Sequence, residues 1–229
     1  MRKLLVSLTV LALLLVAADR VGATLASRAV ADQIAASGEL SGAPQVSIGG
    51  FPFLTQALSG RYDEITVSAS GLTGDRGVSG FDARLSGVRL PLSAALSGSV
   101  REVPVERVSA RVLLSYPELE RRLASRRLKL SPAGPLLRVT GSVTVLGRTV
   151  SASALSSLTV SGGDVLVTAV RFEVGARPAD AALTAALGRR LDFRAEIGAL
   201  PYGLTLTAVA VRPGGVEATA TARSTVLTR

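Results

Sequence analysis

The 229-residue chain sets 26 Lys and Arg against 17 Asp and Glu, for a formal charge of +9, and contains neither histidine nor cysteine. The usual zinc, copper and haem ligands, the commonest general base at neutral pH and any thiol nucleophile are therefore missing together, so no metal, no cofactor and no catalytic residue is expected. Less a leader, roughly two hundred residues remain, ample for one continuous core, and one domain is expected.

The positive charge is almost all arginine, lysine occurring only at Lys3 and Lys129. Nucleic-acid binding favours clustered basic residues interleaved with exposed aromatics. Here Arg84, Arg89, Arg107 and Arg111 stand singly in strand-like runs, and aromatics are only 3% of residues. Nucleic acid is not an expected partner; anionic lipid at a membrane surface fits better. Any one of these arginines reads equally well as solubilising charge on a strand face.

In chain order, Arg2-Lys3 precedes an apolar run, Leu4 to Ala18, that ends at Asp19-Arg20. The run has signal-peptide length, short of the about 20 residues a spanning helix needs, and Val16-Ala17-Ala18 or Val21-Gly22-Ala23 would each suit a signal peptidase. Val21, Leu25, Ala29, Val30 and Ile34 nevertheless continue at helical spacing, so one helix could run to Ala36 and be kept as an anchor. Residues 1–23 are read as signal peptide or N-terminal membrane anchor and 24–229 as the exported domain, in the cell envelope. Ser37-Gly38 is the expected helix stop.

The stretch Ile48 to Val67 holds two of the five Phe and one of the three Tyr. Gly49-Gly50 free the backbone to bend, Pro52 restricts its neighbour, and Leu54, Gln56 and Leu58 allow one short helical turn before Gly60 stops it. The expected path is strand, kink, short helix, strand. Such a corner either plugs a hydrophobic core or lines a pocket for an apolar ligand.

Beyond it the dominant period is two, as in Ile65, Val67, Ala69 and in Phe81, Ala83, Leu85, which predicts half-buried antiparallel strands. At Gly87 the apolar phase slips to Val88, Leu90 and Leu92, suggesting a β-bulge. Ser115 with Glu118 reads as a capping box opening a short helix over 116–124. Leu136 to Val145, Thr149 to Ala154 and Leu158 to Val174 return to strands, with turns at Gly147-Arg148 and Gly162-Gly163-Asp164. A further helix is expected over 178–190, and Phe193 to Ile197, Leu204 to Val211 and Val216 to Arg223 complete the sheet.

Ser47-Ile-Gly-Gly-Phe-Pro-Phe-Leu-Thr-Gln56 followed by Gly60-Arg-Tyr-Asp-Glu-Ile65 resembles the signature of the LmeA family of phospholipid-binding proteins of the actinobacterial cell envelope. The likeness extends to the leader ending in Asp19-Arg20 and to Leu200-Pro-Tyr-Gly-Leu204. It implies an α+β fold similar to the tubular lipid-binding proteins: a strongly curved, mainly antiparallel β-sheet with a long N-terminal helix and two shorter helices. It also implies phospholipid binding without chemistry. On this reading Phe51, Phe53, Leu54 and Leu58 wall an apolar cavity for acyl chains, with Arg61 and Tyr62 nearer its polar rim, and the protein shuttles lipid or supports envelope glycolipid assembly.

The carboxylate pairs Asp63-Glu64 and Glu118, Glu120 have no histidine, metal site or phosphate loop beside them, and a Ser-Lys mechanism would have to rest on Lys129. An enzyme is therefore not expected. The alternative to lipid binding is a structural or interaction protein with a packed core that docks a membrane or partner through a basic face.

Overall fold

The computed structural model describes residues 2–36, 43–70, 78–91, 94, 102–123, 128–145, 148–174, 177–178, 193–195 and 197–228. Helix α1 runs unbroken over Arg2–Ala36, followed by β1 (Gln45–Gly49), α2 (Phe53–Ser59), β2 (Arg61–Ala69), β3 (Val78–Arg89), β4 (Glu102–Ser115) and α3 (Tyr116–Arg122). Then come β5 (Lys129–Ala133), β6 (Leu136–Val145), β7 (Arg148–Ser161), β8 (Asp164–Val174), β9 (Arg177–Pro178) and β10 (Phe193–Ala195). A 3-10 turn at Pro201–Gly203 leads into β11 (Thr205–Arg212) and β12 (Gly215–Thr228). The fold is α+β, with a long N-terminal helix and two shorter ones among the described residues.

The described strands divide between two sheets, one in the order β1-β2-β3-β4-β12-β11 and one in the order β10-β8-β7-β6-β5 with β9 paired to β8. Every pairing whose register is described is antiparallel. Sequence periodicity reveals strands but not which of them share a sheet, so the expected single sheet becomes two. The chain forms two compact units, one of residues 1–73, 81–110 and 222–229, the other of 74–80 and 111–221.

In the first unit the β2–β3 register is the same on both sides of Gly87, from Ile65 opposite Leu85 to Tyr62 opposite Val88, so no bulge interrupts this pair. The phase slip is real all the same: Ala83 and Val88 are both buried. Gly87 takes a φ of 64°, a left-handed conformation that favours glycine, where the buried face changes. Among the pairings whose register is described, shifts lie at Leu155/Ser156 in β7–β8 and Leu206/Ala208 in β11–β12.

The second unit is centred on Tyr116, Leu130, Leu137, Val139 and Val211, with Leu119 and Leu123 of the α3 segment packed against them. The Tyr116 hydroxyl donates to the Arg212 carbonyl at 2.6 Å, which satisfies a buried polar group. Helix α3 starts where expected, with Ser115 at the N-cap and Pro in its first turn, but the Ser115 side chain makes no cap hydrogen bond. Glu118 is buried instead and pairs with Arg121. Strand β5 was not expected from sequence; it is held to α3 by Glu120, which accepts from the Leu130 N–H and from Lys129 at 2.8 and 2.9 Å. These bonds hold the Glu120 carboxyl below the ordinary glutamate range, the backbone bond contributing most. Of the helix expected over 178–190, Pro178 closes the two-residue strand β9 and the remainder lies outside the described residues, as does Ser37-Gly38.

Candidate functional site

The corner between β1 and β2 forms as its sequence dictates. Gly50 adopts a φ of 90°, the Phe51–Pro52 peptide is cis, and Pro52 enters α2 with a φ of −75° and ψ of 140°. Gly60 ends the helix in the left-handed conformation at φ 64°, its N–H bonding to the Ala57 carbonyl. The Gln56 side chain ties the loop together: its Nε2 donates to the Gly49 carbonyl at 3.3 Å, and its Oε1 accepts from the Asp63 N–H at 2.8 Å. A Cβ at Gly50 would collide with that amide, so the kink and the tie require each other.

Helix α2 has no side-chain cap of its own, and its N-terminal turn carries unpaired N–H groups. One is met from far along the chain: Leu54 N–H donates to Asp19 Oδ1 of α1 at 2.8 Å. Asp19 is 2% exposed, and its other oxygen is buried without a hydrogen-bond partner among the described residues. One turn on, Gly22 of α1 lies against α2: a Cβ there would meet the Phe53 ring and Leu54 at 3.5 and 3.6 Å, ordinary contact distance. The Arg20 guanidinium lies over the Phe51 ring, 4.9 Å from its centroid.

The six residues singled out from sequence fall into two sets. Phe53 and Tyr62 are buried, with ring centroids 6.4 Å apart, and burial pushes the Tyr62 hydroxyl up from its ordinary value. They belong to the core beneath the corner. Phe51, Leu54 and Leu58 face outward, 57, 41 and 84% exposed. Alternation along α2 explains the split: Phe53, Gln56 and Ala57 form the buried side at helical spacing, leaving Leu54 and Leu58 on the other. Arg61 is exposed immediately after α2, and its partner across the β2–β3 ladder is Arg89. Arg89 is balanced by Glu106 at 3.3 Å, as Arg84 is by Glu64 at 3.4 Å. Among the described residues no group of histidine, cysteine or carboxylates could hold a metal ion.

A family model described as LmeA-like phospholipid-binding matches residues 17–221. The chain belongs to the LmeA-like phospholipid-binding family. That membership supports lipid as the partner. No curated protein and no solved structure matches the chain. The LmeA-like match begins inside α1, just before Asp19, and takes in the whole corner.

Sequence reasoning reached the aromatic corner but missed Asp19, Arg20 and Gln56 as the residues that build it. The signal for Asp19 was there, an acid breaking an otherwise apolar helix, although only the fold brings it to Leu54. Gln56 closes the stretch that resembles the family signature, but nothing in the sequence marked it as the tie between Gly49 and Asp63.

Proposed function

We propose that this LmeA-like protein is a non-catalytic phospholipid-binding protein of the cell envelope, taking lipid at the corner formed by Phe51, Leu54, Leu58 and Arg61. The observation that carries the reading is the outward set of Phe51, at the kink before α2, and Leu54 and Leu58, on α2 itself, whose other side is fixed in the core. Three large apolar groups held in solvent on a rigid element mark a contact surface. Acyl chains laid against them, and beyond them in an apolar cavity, gain about 0.8 kcal/mol per buried methylene relative to water, while a bilayer offers the same lipid much the same stabilisation. Exchange with a membrane is then close to neutral, as shuttling of lipid or support of envelope glycolipid assembly needs.

Headgroup preference falls to Arg61. It faces another arginine across the ladder, and Arg89 already has its carboxylate, so an anion beside Arg61 relieves a like-charge pair and forms a charge-assisted bond. Phospholipids with a net negative headgroup are favoured accordingly. A basic face docking a membrane is the weaker reading, because Arg84, Arg89, Arg121, Arg138, Arg194 and Arg212 are each paired with a carboxylate.

Native mass spectrometry of the full chain, released from membranes in mild detergent, tests the proposal. Phospholipid adducts on the parent, reduced several-fold in a folded Phe51→Ala, Leu54→Ala, Leu58→Ala triple variant, are expected. A triple variant that binds like the parent would remove the site, and a folded parent that takes up no phospholipid would remove the function.

A further inference from the structure

The same corner is where the apolar half of α1 joins the folded unit. From Leu4 to Val16 the large apolar side chains of α1 are exposed, and the helix is long and apolar enough to cross a membrane. Contacts with the rest of the unit follow at Asp19, Arg20 and Gly22, and Ala23 is buried. Helix α1 thus changes character within one turn, from a free apolar rod to a packed element. The residues it packs against carry Phe51, Leu54 and Leu58.

Two consequences follow. Removal of the leader after Ala23 would take away the acceptor for the Leu54 N–H, the cation over Phe51 and the glycine closed on Phe53. Removal after Ala18 would leave Asp19 at a new chain end, in a turn stripped of the preceding helix and prone to fray. In addition, the apolar run from Leu4 to Ala18 extends only about 22 Å at 1.5 Å per residue, against a hydrocarbon core of about 30 Å. A span this short has no slack; it is accommodated by snorkelling of Lys3 at one end and by drawing the other end tight against the bilayer.

We propose that α1 stays on the mature protein as its membrane anchor and that the bilayer surface lies at Asp19, so that Phe51, Leu54 and Leu58 rest in the interface of the anchoring membrane. Arg2 and Lys3 remain on the cytoplasmic side, in keeping with the positive-inside rule, and the folded units lie on the other. The proposal deepens the phospholipid-binding reading and rests on it: the corner draws its lipid directly from the leaflet in which the chain is fixed. The Asp19 to Leu54 bond sets the depth of α2, since it fixes the corner to the last polar turn before the apolar run. Arg20, stacked on Phe51, sits at the level of lipid phosphates.

The test uses the full chain in vesicles of phosphatidylglycerol and phosphatidylcholine. Because the protein lacks cysteine, Leu58→Cys and, for comparison, Asp82→Cys, exposed in the same unit and paired with Ser68 at the other end of β2 from Arg61, each take a single environment-sensitive fluorophore. Brominated acyl chains are expected to quench the Leu58 label strongly, as for a group at interfacial depth, and the Asp82 label little. The intact mass of the protein from the membrane fraction is expected to retain Arg2 and Lys3. A mature chain starting at Asp19 or Thr24, or a Leu58 label quenched no more than the Asp82 label, overturns the proposal. Extracting bound phospholipid from the same samples separates the two readings. Lipid bound by a protein whose Leu58 label is not quenched defeats the anchored corner alone, and a quenched Leu58 label on a protein that binds no lipid supports the placement while defeating the function.

Discussion

Phe53→Ala is the substitution that most sharply separates the core side of the corner from its exposed side. Phe53 is 6% exposed, stacks obliquely on Tyr62 and is closed over by Gly22 of α1. Truncation removes a buried ring worth about 1.5–3 kcal/mol in transfer alone and leaves a void between α1, α2 and β2 that their backbones cannot fill, for a total of about 3–5 kcal/mol. Phe51→Ala and Leu58→Ala remove groups that are 57 and 84% exposed. Each is expected to cost under about 0.5 kcal/mol, apart from the Arg20 contact, worth about 0.5–1 kcal/mol, that Phe51 loses. Urea denaturation of the full chain in detergent, followed by far-ultraviolet circular dichroism, reads the difference. With a slope of about 2 kcal/mol per molar, Phe53→Ala shifts the midpoint down by about 2 M, while the exposed pair moves it by a few tenths. Phospholipid binding is expected to change in the opposite order: several-fold weaker in Phe51→Ala and Leu58→Ala, and in Phe53→Ala lowered only in proportion to the unfolded fraction. The reasoning is refuted if Phe53→Ala is stable and fails to bind, or if Phe51→Ala and Leu58→Ala unfold the protein as readily as Phe53→Ala does.

Gln56→Ala removes the tie between Gly49 and Asp63, leaves the Asp63 N–H without its acceptor, and is expected to cost about 1–3 kcal/mol by the same denaturation assay, with lipid binding reduced because α2 loses its fixed pose. Tyr116→Phe loses the bond to the Arg212 carbonyl, at about 1 kcal/mol. Burial raises the Tyr116 hydroxyl above its ordinary 10.0, so this residue's contribution is whole below that pH and disappears as pH rises through the folded value; the variant should show a flatter alkaline limb of stability against pH. Glu120, held below its ordinary 4.5, contributes above that pH and ceases to as pH falls through its lower folded value. Glu120→Gln keeps an acceptor for Leu130 and should flatten the acid limb in thermal melts between neutral pH and pH 3.

Much of this architecture was legible because it is local. Strand β6 runs from Leu136 to Val145 as the alternation predicts, and the β11–β12 hairpin turns at Pro213-Gly214, because turn residues and period-two runs report on their own neighbourhood. Short β5 was hidden because Lys129–Ala133 offers a proline and little alternation; its partner strand and Glu120 create it. The aromatic corner could be found from composition, yet the sequence could not say which rings point inward. Phe51 and Phe53 are identical residues two apart, and only the helical phase set by Pro52 and Gly60 sends Phe53 into the core and leaves Phe51 under Arg20. The Asp19 to Leu54 bond joins positions 35 residues apart and had no local signature strong enough to announce it.

The most direct measurement is photocrosslinking with a phospholipid that carries a diazirine in its acyl chain, incorporated into the vesicles that hold the full-length protein, with the modified peptides mapped by mass spectrometry. The account predicts crosslinks concentrated on Phe51, Leu54 and Leu58, in addition to those on the apolar part of α1, and their loss from α2 in the triple alanine variant. Crosslinks on α1 and elsewhere in the fold, with none between Gly50 and Tyr62, would contradict it.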